Sequence, residues 1–340
     1  MLEKQNFIPE PEVLIAETPL TPALKEMKDL RDQEIRDIIG GRSEKLLVVI
    51  GPCSAHEPAP ILEYVTRLAK VSEKVKDKLV IVPRIYTNKP RTKGIGYKGM
   101  FLQPDPEGRA DIIRGIRSIR NLHLTVMHES GLTAADEILY PENPAYVEDL
   151  LSYHAVGARS VENQLHRQVA SGIDVPVGLK NPMSGNILAL LNSFFAAQSP
   201  QIFKYGNYQV SSSGNPYAHA VLRGGVDASG LDVPNFHYET VMHLAELYQK
   251  SQLKNPAIMI DCNHSNSGKK FKEQIRIARE VMQNRNFDKD FKSIVKGFMI
   301  ERFLEEGCQT HDDVFGKSIT DPCLGWTDTE RLLKELAEQA

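Results

Sequence analysis

Apolar residues in this chain come in short runs, each followed by a turn and a longer stretch with apolar positions three and four apart. The runs cover 46–50, 79–83, 124–127, 155–158, 175–179, 220–222, 257–260 and 294–300. They show little polar alternation, as expected of strands covered on both faces. Helical patterning lies around 60–74, 108–120, 145–153, 161–171, 184–197, 237–250, 268–283 and 328–340. An eightfold strand–helix alternation of this length predicts an α/β (β/α)8 TIM barrel rather than an open doubly wound sheet. No Gly-x-Gly-x-x-Gly opens the first unit, which argues against dinucleotide binding.

Two segments stand outside the alternation. Residues 1–44 read as an N-terminal extension, an oligomer-forming or regulatory arm, and 45–340 as the catalytic barrel. The first 22 residues are rich in Pro and Glu, with weak periodicity. A helix is expected over 22–39, with Leu24, Met27, Leu30, Ile35, Ile38 and Ile39 near one face and Gly40-Gly41 as its stop. The arm is expected to pack on the barrel or on a neighbouring subunit. Residues 201–213 read as a β-hairpin turned at Gly206-Asn207, inserted before the sixth barrel strand.

Composition narrows the function classes. The 340 residues are 41% hydrophobic and 25% charged, with a net charge of −3. That is ordinary for a globular protein and argues against a nucleic-acid binder working through bulk charge. Any anion site must be local. No secretory signal and no bilayer-length apolar run occur, so a cytoplasmic location with reduced thiols is expected. Cys53, Cys262, Cys308 and Cys323 form no C-x-x-C pair. The last three read as structural.

Polar residues gather where the runs end, which in such a barrel is the catalytic face. The first run leads into Gly51-Pro52-Cys53-Ser54, with His56 close behind. The second leads into Arg84, Lys89 and Arg91, with Pro90 stiffening the loop. Glu129 and then Glu137 follow the third. Arg159, Lys180 and Arg223 follow the fourth, fifth and sixth; Asp261 and His264 the seventh; Glu301 and Asp321 the eighth. Six cations at one mouth imply two anionic groups, a phosphate with a carboxylate or two phosphates. Glycines beside Arg159 and Arg223 let backbone N–H groups approach phosphate oxygens. Cys53, His264, Glu301 and Asp321 offer a thiolate, an imidazole and two carboxylates, a set suited to Mn2+, Fe2+, Co2+ or Zn2+ rather than Mg2+ or Ca2+.

These motifs stand in one order: Gly-Pro-Cys-Ser at 51–54, Lys-Pro-Arg-Thr at 89–92, Gly-Ala-Arg at 157–159, Pro-Val-Gly-Leu-Lys-Asn at 176–181, Leu-Arg-Gly-Gly at 222–225, Ile-Asp-x-x-His at 260–264 and Ser-Ile-Thr-Asp at 318–321. Over roughly 44–335 the chain closely resembles the type I, microbial class of 3-deoxy-D-arabino-heptulosonate 7-phosphate (DAHP) synthases. The resemblance implies condensation of phosphoenolpyruvate with erythrose 4-phosphate and water, giving DAHP and phosphate at the head of the shikimate pathway. It implies one divalent metal ion on Cys53, His264, Glu301 and Asp321. It places the phosphoenolpyruvate phosphate on Arg159, Arg223 and the Ala158 N–H, and its carboxylate on Arg84, Lys89 and Lys180. The sugar phosphate falls to Pro90, Arg91 and Thr92. Lys89 serves as donor to the aldehyde oxygen, His264 as ligand and proton relay, Cys53 as an essential ligand, and Glu137 as the candidate for activating water.

The arm and the added hairpin suggest a homodimer or homotetramer, charge and hydropathy point to no nucleic acid or membrane partner, and the resemblance raises an aromatic amino acid effector. The chain departs from the feedback-inhibited enterobacterial members. An extra residue falls within 93–97, Ser160-Val161 stands where two threonines are common, and Ile138-Leu139-Tyr140-Pro141 lacks an acidic residue that helps hold the inhibitor. These changes leave the catalytic assignment intact. They count against feedback by Phe, Tyr or Trp and leave open an unregulated enzyme or another effector. The alternatives are a related synthase using arabinose 5-phosphate and a non-catalytic phosphometabolite-binding barrel.

Overall fold

The computed structural model describes residues 1–91 and 94–340. Helices α1 (Pro11–Glu17) and α2 (Pro22–Ile39) lead into β1 (Leu46–Gly51), α3 (Pro58–Val75), β2 (Leu79–Pro83), α4 (Ile112–Ser130) and β3 (Ala134–Glu137). A 3-10 turn (Asn143–Tyr146) precedes β4 (Leu151–Val156), α5 (Gln164–Gly172), β5 (Val177–Lys180) and α6 (Ile187–Gln198). Next come β6 (Gln201–Tyr205), β7 (Tyr208–Ser212), β8 (Ala218–Leu222), and the short β9 (Gly225–Val226) and β10 (Asp232–Val233). The chain closes with α7 (Tyr238–Lys250), β11 (Ile258–Asp261), α8 (Glu273–Phe287), α9 (Lys289–Ile294), β12 (Val295–Glu301) and α10 (Trp326–Gln339).

Eight strands form one sheet in the order β2-β1-β12-β11-β8-β5-β4-β3, every neighbour parallel. The two ends meet in a single parallel bridge, Arg84 to Ala135, with the Ile85 N–H donating to the Ala135 carbonyl at 2.9 Å. The result is a nearly closed (β/α)8 barrel whose weakest seam lies between β2 and β3.

Two buried clusters divide the apolar residues. One, with Val48, Ile50, Ile81, Leu179 and Ile260, fills the space between strands and helices. The other lies inside the barrel and holds the alternate positions Leu47, Val49, Val80, Val82, Tyr153, Val221 and Met299. Gly178 faces this interior, where a Cβ would sit 2.0 Å from the Tyr153 hydroxyl oxygen. From α2, Ile35, Ile38 and Ile39 join the inner cluster and form the barrel floor. Thr21 caps that helix by accepting from the Leu24 N–H at 3.3 Å, and Pro22 opens it. Strands β6 and β7 pair antiparallel around Gly206-Asn207, just before β8.

Two expected elements are corrected. Residues 124–127 are not a strand; they lie in α4, whose buried face is Leu122, His123, Val126 and Met127. Their spacing is helical, and the real third strand is the short, partly acidic β3. Nor is 145–153 a helix, since β4 runs Leu151–Val156, four residues ahead of the 155–158 run expected for the fourth strand and overlapping it only at Ala155 and Val156. Glu129 therefore sits exposed in the last turn of α4, before β3 rather than after it.

Candidate active site

The period-2 alternation of the strands builds the site. Inward positions on β2 are Val80 and Val82, and the next is Arg84. The same step takes Ala135 to Glu137, Gly178 to Lys180, Val221 to Arg223, Met259 to Asp261 and Met299 to Glu301. A barrel lined by apolar residues thus ends, at its carboxyl mouth, in a ring of charge. Arg84, Lys180, Arg223, Asp261 and Glu301 are all at most 3% exposed. Charges so buried must be paired.

The pairing is dense. Arg84 Nη2 contacts Glu301 Oε1 at 2.9 Å, its Nη1 donates to the Pro52 carbonyl, and its guanidinium lies 3.8 Å from the Tyr86 ring centroid. Burial opposes the Arg84 charge, but Glu301, with help from Tyr86 and Cys53, holds its pKa above the ordinary range. Lys180 Nζ lies 3.5 Å from Asp261 Oδ2 and 4.0 Å from Glu137 Oε2. Burial likewise opposes the Asp261 charge, yet His264, Lys180 and Arg223 hold its carboxyl well below the usual range. For Arg223 burial wins and lowers the pKa. Glu137 packs against Gly157, where a Cβ would approach Glu137 Oε1 to 2.6 Å.

Beside this ring, Cys53 donates to Asp321 Oδ2 at 3.4 Å, and Lys89 Nζ donates to the Cys53 sulfur at 2.9 Å and its carbonyl at 2.7 Å. Ligand atoms of Cys53, Glu301 and Asp321 all lie within 4.8 Å of one another. Among the described residues no other three His, Cys, Asp or Glu side chains meet so closely. His264 adjoins the group, with Nε2 3.9 Å from Glu301 Oε1 and Nδ1 2.9 Å from Asp261 Oδ2, on a left-handed backbone at φ 53°. Glu301 Oε1 and His264 Nδ1 are buried without an aligned hydrogen bond. Burial pushes the Cys53 thiol up, Glu301 adds to the effect and Lys89 opposes it. A sulfur, an imidazole and two carboxylates with free lone pairs fit a borderline divalent cation.

An open cleft of about 860 Å3 joins these groups. Its lining takes in Arg84, Lys89, Pro90, Arg91, Glu137, Ala158, Arg159, Lys180, Arg223, His264 and Asp321, so nearly all the expected residues meet. Cys53 and Glu301 sit just behind it. Arg91 Nε donates to the Tyr97 carbonyl at 2.8 Å, which orients its fork. Thr92, expected at the sugar phosphate, and part of the 93–97 departure lie outside the described residues. The structure adds residues to which the sequence pattern assigned no role. Asn181, Asn235 and Asn266 form an amide network: Asn181 Oδ1 accepts from the Arg223 N–H at 2.9 Å, and Asn235 Oδ1 from the Gly224 N–H at 2.7 Å. Asn263 holds the second Glu301 oxygen at 2.5 Å. Lys269, at φ 59°, also lines the cleft. Isolated Asn and Lys residues carry no periodic signal; only the adjacency of Asn263 to His264 pointed there.

A (β/α)8 barrel that joins a cluster of mixed metal-ligand donors to a ring of cations suits an enzyme of anionic substrates. Comparison with known proteins is specific. The DAHP synthetase I family model matches residues 19–334. The Phe-sensitive phospho-2-dehydro-3-deoxyheptonate aldolase of Escherichia coli (strain K12) is 40% identical over 345 residues, covering 98% of this chain and 95% of that protein. The Trp-sensitive enzyme of Enterobacter agglomerans is 39% identical over 337 residues, 96% and 93% of the two chains. A solved structure of phospho-2-dehydro-3-deoxyheptonate aldolase from Francisella tularensis SCHU S4 superposes with a TM-score of 0.91 at 35% identity, covering 100% of this chain and 98% of that one. The chain belongs to the DAHP synthetase I family and is an enzyme of the 3-deoxy-7-phosphoheptulonate synthase type. Family members depend on a metal, and the Cys53 group is consistent with that. No helix among the described residues is long and apolar enough to cross a membrane.

Proposed function

We propose that this cleft joins phosphoenolpyruvate to erythrose 4-phosphate, and that Lys89 stands between the two substrates. The observation that carries the reading is the continuity of one cleft from the inward cations to the Cys53–Glu301–Asp321 group. Arg159, Arg223 and the Ala158 N–H take the phosphoenolpyruvate phosphate; Arg84, Lys89 and Lys180 face its carboxylate. Pro90, Arg91 and Thr92 take the sugar phosphate. Cys53, His264, Glu301 and Asp321 hold one divalent ion, Mn2+, Fe2+, Co2+ or Zn2+, which supplies Lewis-acid polarisation of the aldehyde.

C3 of phosphoenolpyruvate attacks the aldehyde carbon and forms the new carbon–carbon bond. Lys89 donates to the aldehyde oxygen as alkoxide charge grows. Water adds at C2, and the hemiketal breaks its C2–O bond to release inorganic phosphate. Glu137, which lines the cleft, is the candidate to take the proton from that water. Exposed Leu188, Phe195, Ile202 and Tyr208 on α6 and the β6–β7 hairpin support a homo-oligomer. The relatives named Trp- and Phe-sensitive support an aromatic amino acid as effector, against which stands the missing acidic residue in Ile138-Leu139-Tyr140-Pro141. Phosphate release tests the chemistry: it should require phosphoenolpyruvate, erythrose 4-phosphate and a divalent ion together, and stop with a chelator. Release without the sugar would overturn the reading.

A further inference from the structure

Asp136 has no part in the reaction above, yet it occupies the most consequential joint of the barrel. It is 4% exposed, on β3, beside Glu137 and directly after the bridge that closes β2 onto β3. Its Oδ1 accepts the Thr87 N–H at 2.9 Å and the Glu137 N–H at 2.6 Å, and its Oδ2 accepts the Thr87 hydroxyl. Thr87 lies two residues before Lys89. The joint then spreads into the substrate loop: the Thr87 carbonyl accepts from the Phe101 N–H at 3.3 Å, and the Lys89 N–H donates to the Lys98 carbonyl at 3.2 Å. Gly99 packs so closely on this turn that a Cβ would lie 2.5 Å from the Thr87 carbonyl oxygen.

We propose that Asp136 is a positioning residue, a clasp that fixes the loop bearing Lys89 and Arg91 against the strand bearing Glu137. Among the described residues only one bridge, Arg84 to Ala135, joins the β2 end to β3, so the sheet itself holds the loop weakly at this seam. The side chain of Asp136 replaces the missing ladder: one carboxylate binds the backbone on both sides of the gap. The inference rests on the roles given above to Lys89 and Arg91 only for its kinetic consequence, not for the clasp itself.

Burial pushes the Asp136 carboxyl up to about 7, against the Thr87 and Glu137 donors that favour the anion. Both protonation forms suit the clasp. A proton on Oδ2 reverses the bond to the Thr87 hydroxyl, while Oδ1 keeps both N–H donors. An amide has the same pattern, so Asp136→Asn should preserve the clasp and Asp136→Ala should open it.

Hydrogen–deuterium exchange of the full-length protein, loaded with Mn2+, tests this directly on peptides spanning 84–101. Asp136→Ala should speed exchange there at least tenfold while peptides from α2 and α8 stay unchanged, and Asp136→Asn should match the parent. Thr87→Val, which removes only the hydroxyl, should give a smaller rise and serves if Asp136→Ala does not fold. Parent-like exchange in whichever of these variants folds would overturn the proposal, as would equal loosening in Asp136→Asn. In parallel, Asp136→Ala should raise KM for erythrose 4-phosphate more than for phosphoenolpyruvate. Faster exchange with an equal rise in both KM values would uphold the clasp and instead refute the division of the substrates between Arg91 and the inner cations.

Discussion

Lys89 Nζ lies 2.9 Å from the Cys53 sulfur, so the loop after β2 and the loop after β1 meet at one ammonium–thiol contact. The same ammonium binds the Cys53 carbonyl at 2.7 Å, which fixes its direction. Under the proposed function, a cation held there would neutralise negative charge developing beside the donor cluster. Lys89→Met keeps the length and removes the charge. Its kcat should fall by about 100- to 1,000-fold, the usual loss for one preorganised donor. A change of only a few-fold in steady-state kcat would remove Lys89 from the chemistry.

Cys53 is 1% exposed and small, so its replacement by alanine opens little space. Cys53→Ala should retain the far-ultraviolet circular dichroism of the parent, with a stability loss of about 1 kcal/mol. It should also lose activity with metal supplied and bind Mn2+ at least tenfold more weakly in equilibrium dialysis. Parent-like Mn2+ affinity would show that the sulfur is not a ligand.

Arg91 lies further out than Arg84, with its Nε already bound to the Tyr97 carbonyl. Removing a charge-assisted contact to phosphate costs about 1.5–3 kcal/mol, or roughly 10- to 150-fold in binding. Arg91→Ala should therefore raise KM for the sugar phosphate by that factor and leave KM for phosphoenolpyruvate within about threefold. Equal effects on both would place Arg91 elsewhere.

Buried histidines set the acid limit of the fold. His123 and His154 are lowered to about 3 and His219 to about 4, in each case first by burial, with Arg120 adding at His123 and Lys28 at His154. These folded values lie below the ordinary 6.5, so under that pH the unfolded chain binds more protons than the native one. Stability contributed by these groups is complete above 6.5 and is lost as pH falls toward 3. Urea midpoints should fall between pH 6.5 and 4, less steeply than three histidines alone would give, because Asp136, raised to about 7, gains stability over the same range. Among the described residues neither ring nitrogen of His123 has a hydrogen-bond partner. His123→Leu should thus flatten the fall by up to about 1.4 kcal/mol per pH unit. An unchanged slope would show that His123 is protonated in the native state.

Seven barrel strands were legible because both faces of a parallel barrel are covered, leaving nearly unbroken apolar runs such as 46–50 and 294–300. The third strand was not, because Ala134-Ala135-Asp136-Glu137 has small and acidic residues where the barrel closes. The apolar inner face of α4 imitated a strand nearby. The mouth was legible for a related reason: each buried run ended in a charge, and the ordered motifs supplied a family pattern. What stayed hidden depends on contacts between distant residues. Asp136 acts through Thr87 and Asn235 through Gly224, and neither spacing has a period to read.

The outer end of the cleft, at Arg91, is proposed to take a four-carbon aldose phosphate next to phosphoenolpyruvate. Steady-state turnover with erythrose 4-phosphate and with arabinose 5-phosphate, at fixed phosphoenolpyruvate and saturating Mn2+, tests it most directly. The value of kcat/KM for the four-carbon sugar should exceed that for the five-carbon sugar by at least 100-fold. A preference for arabinose 5-phosphate, or phosphoenolpyruvate binding without turnover of either sugar, would contradict it.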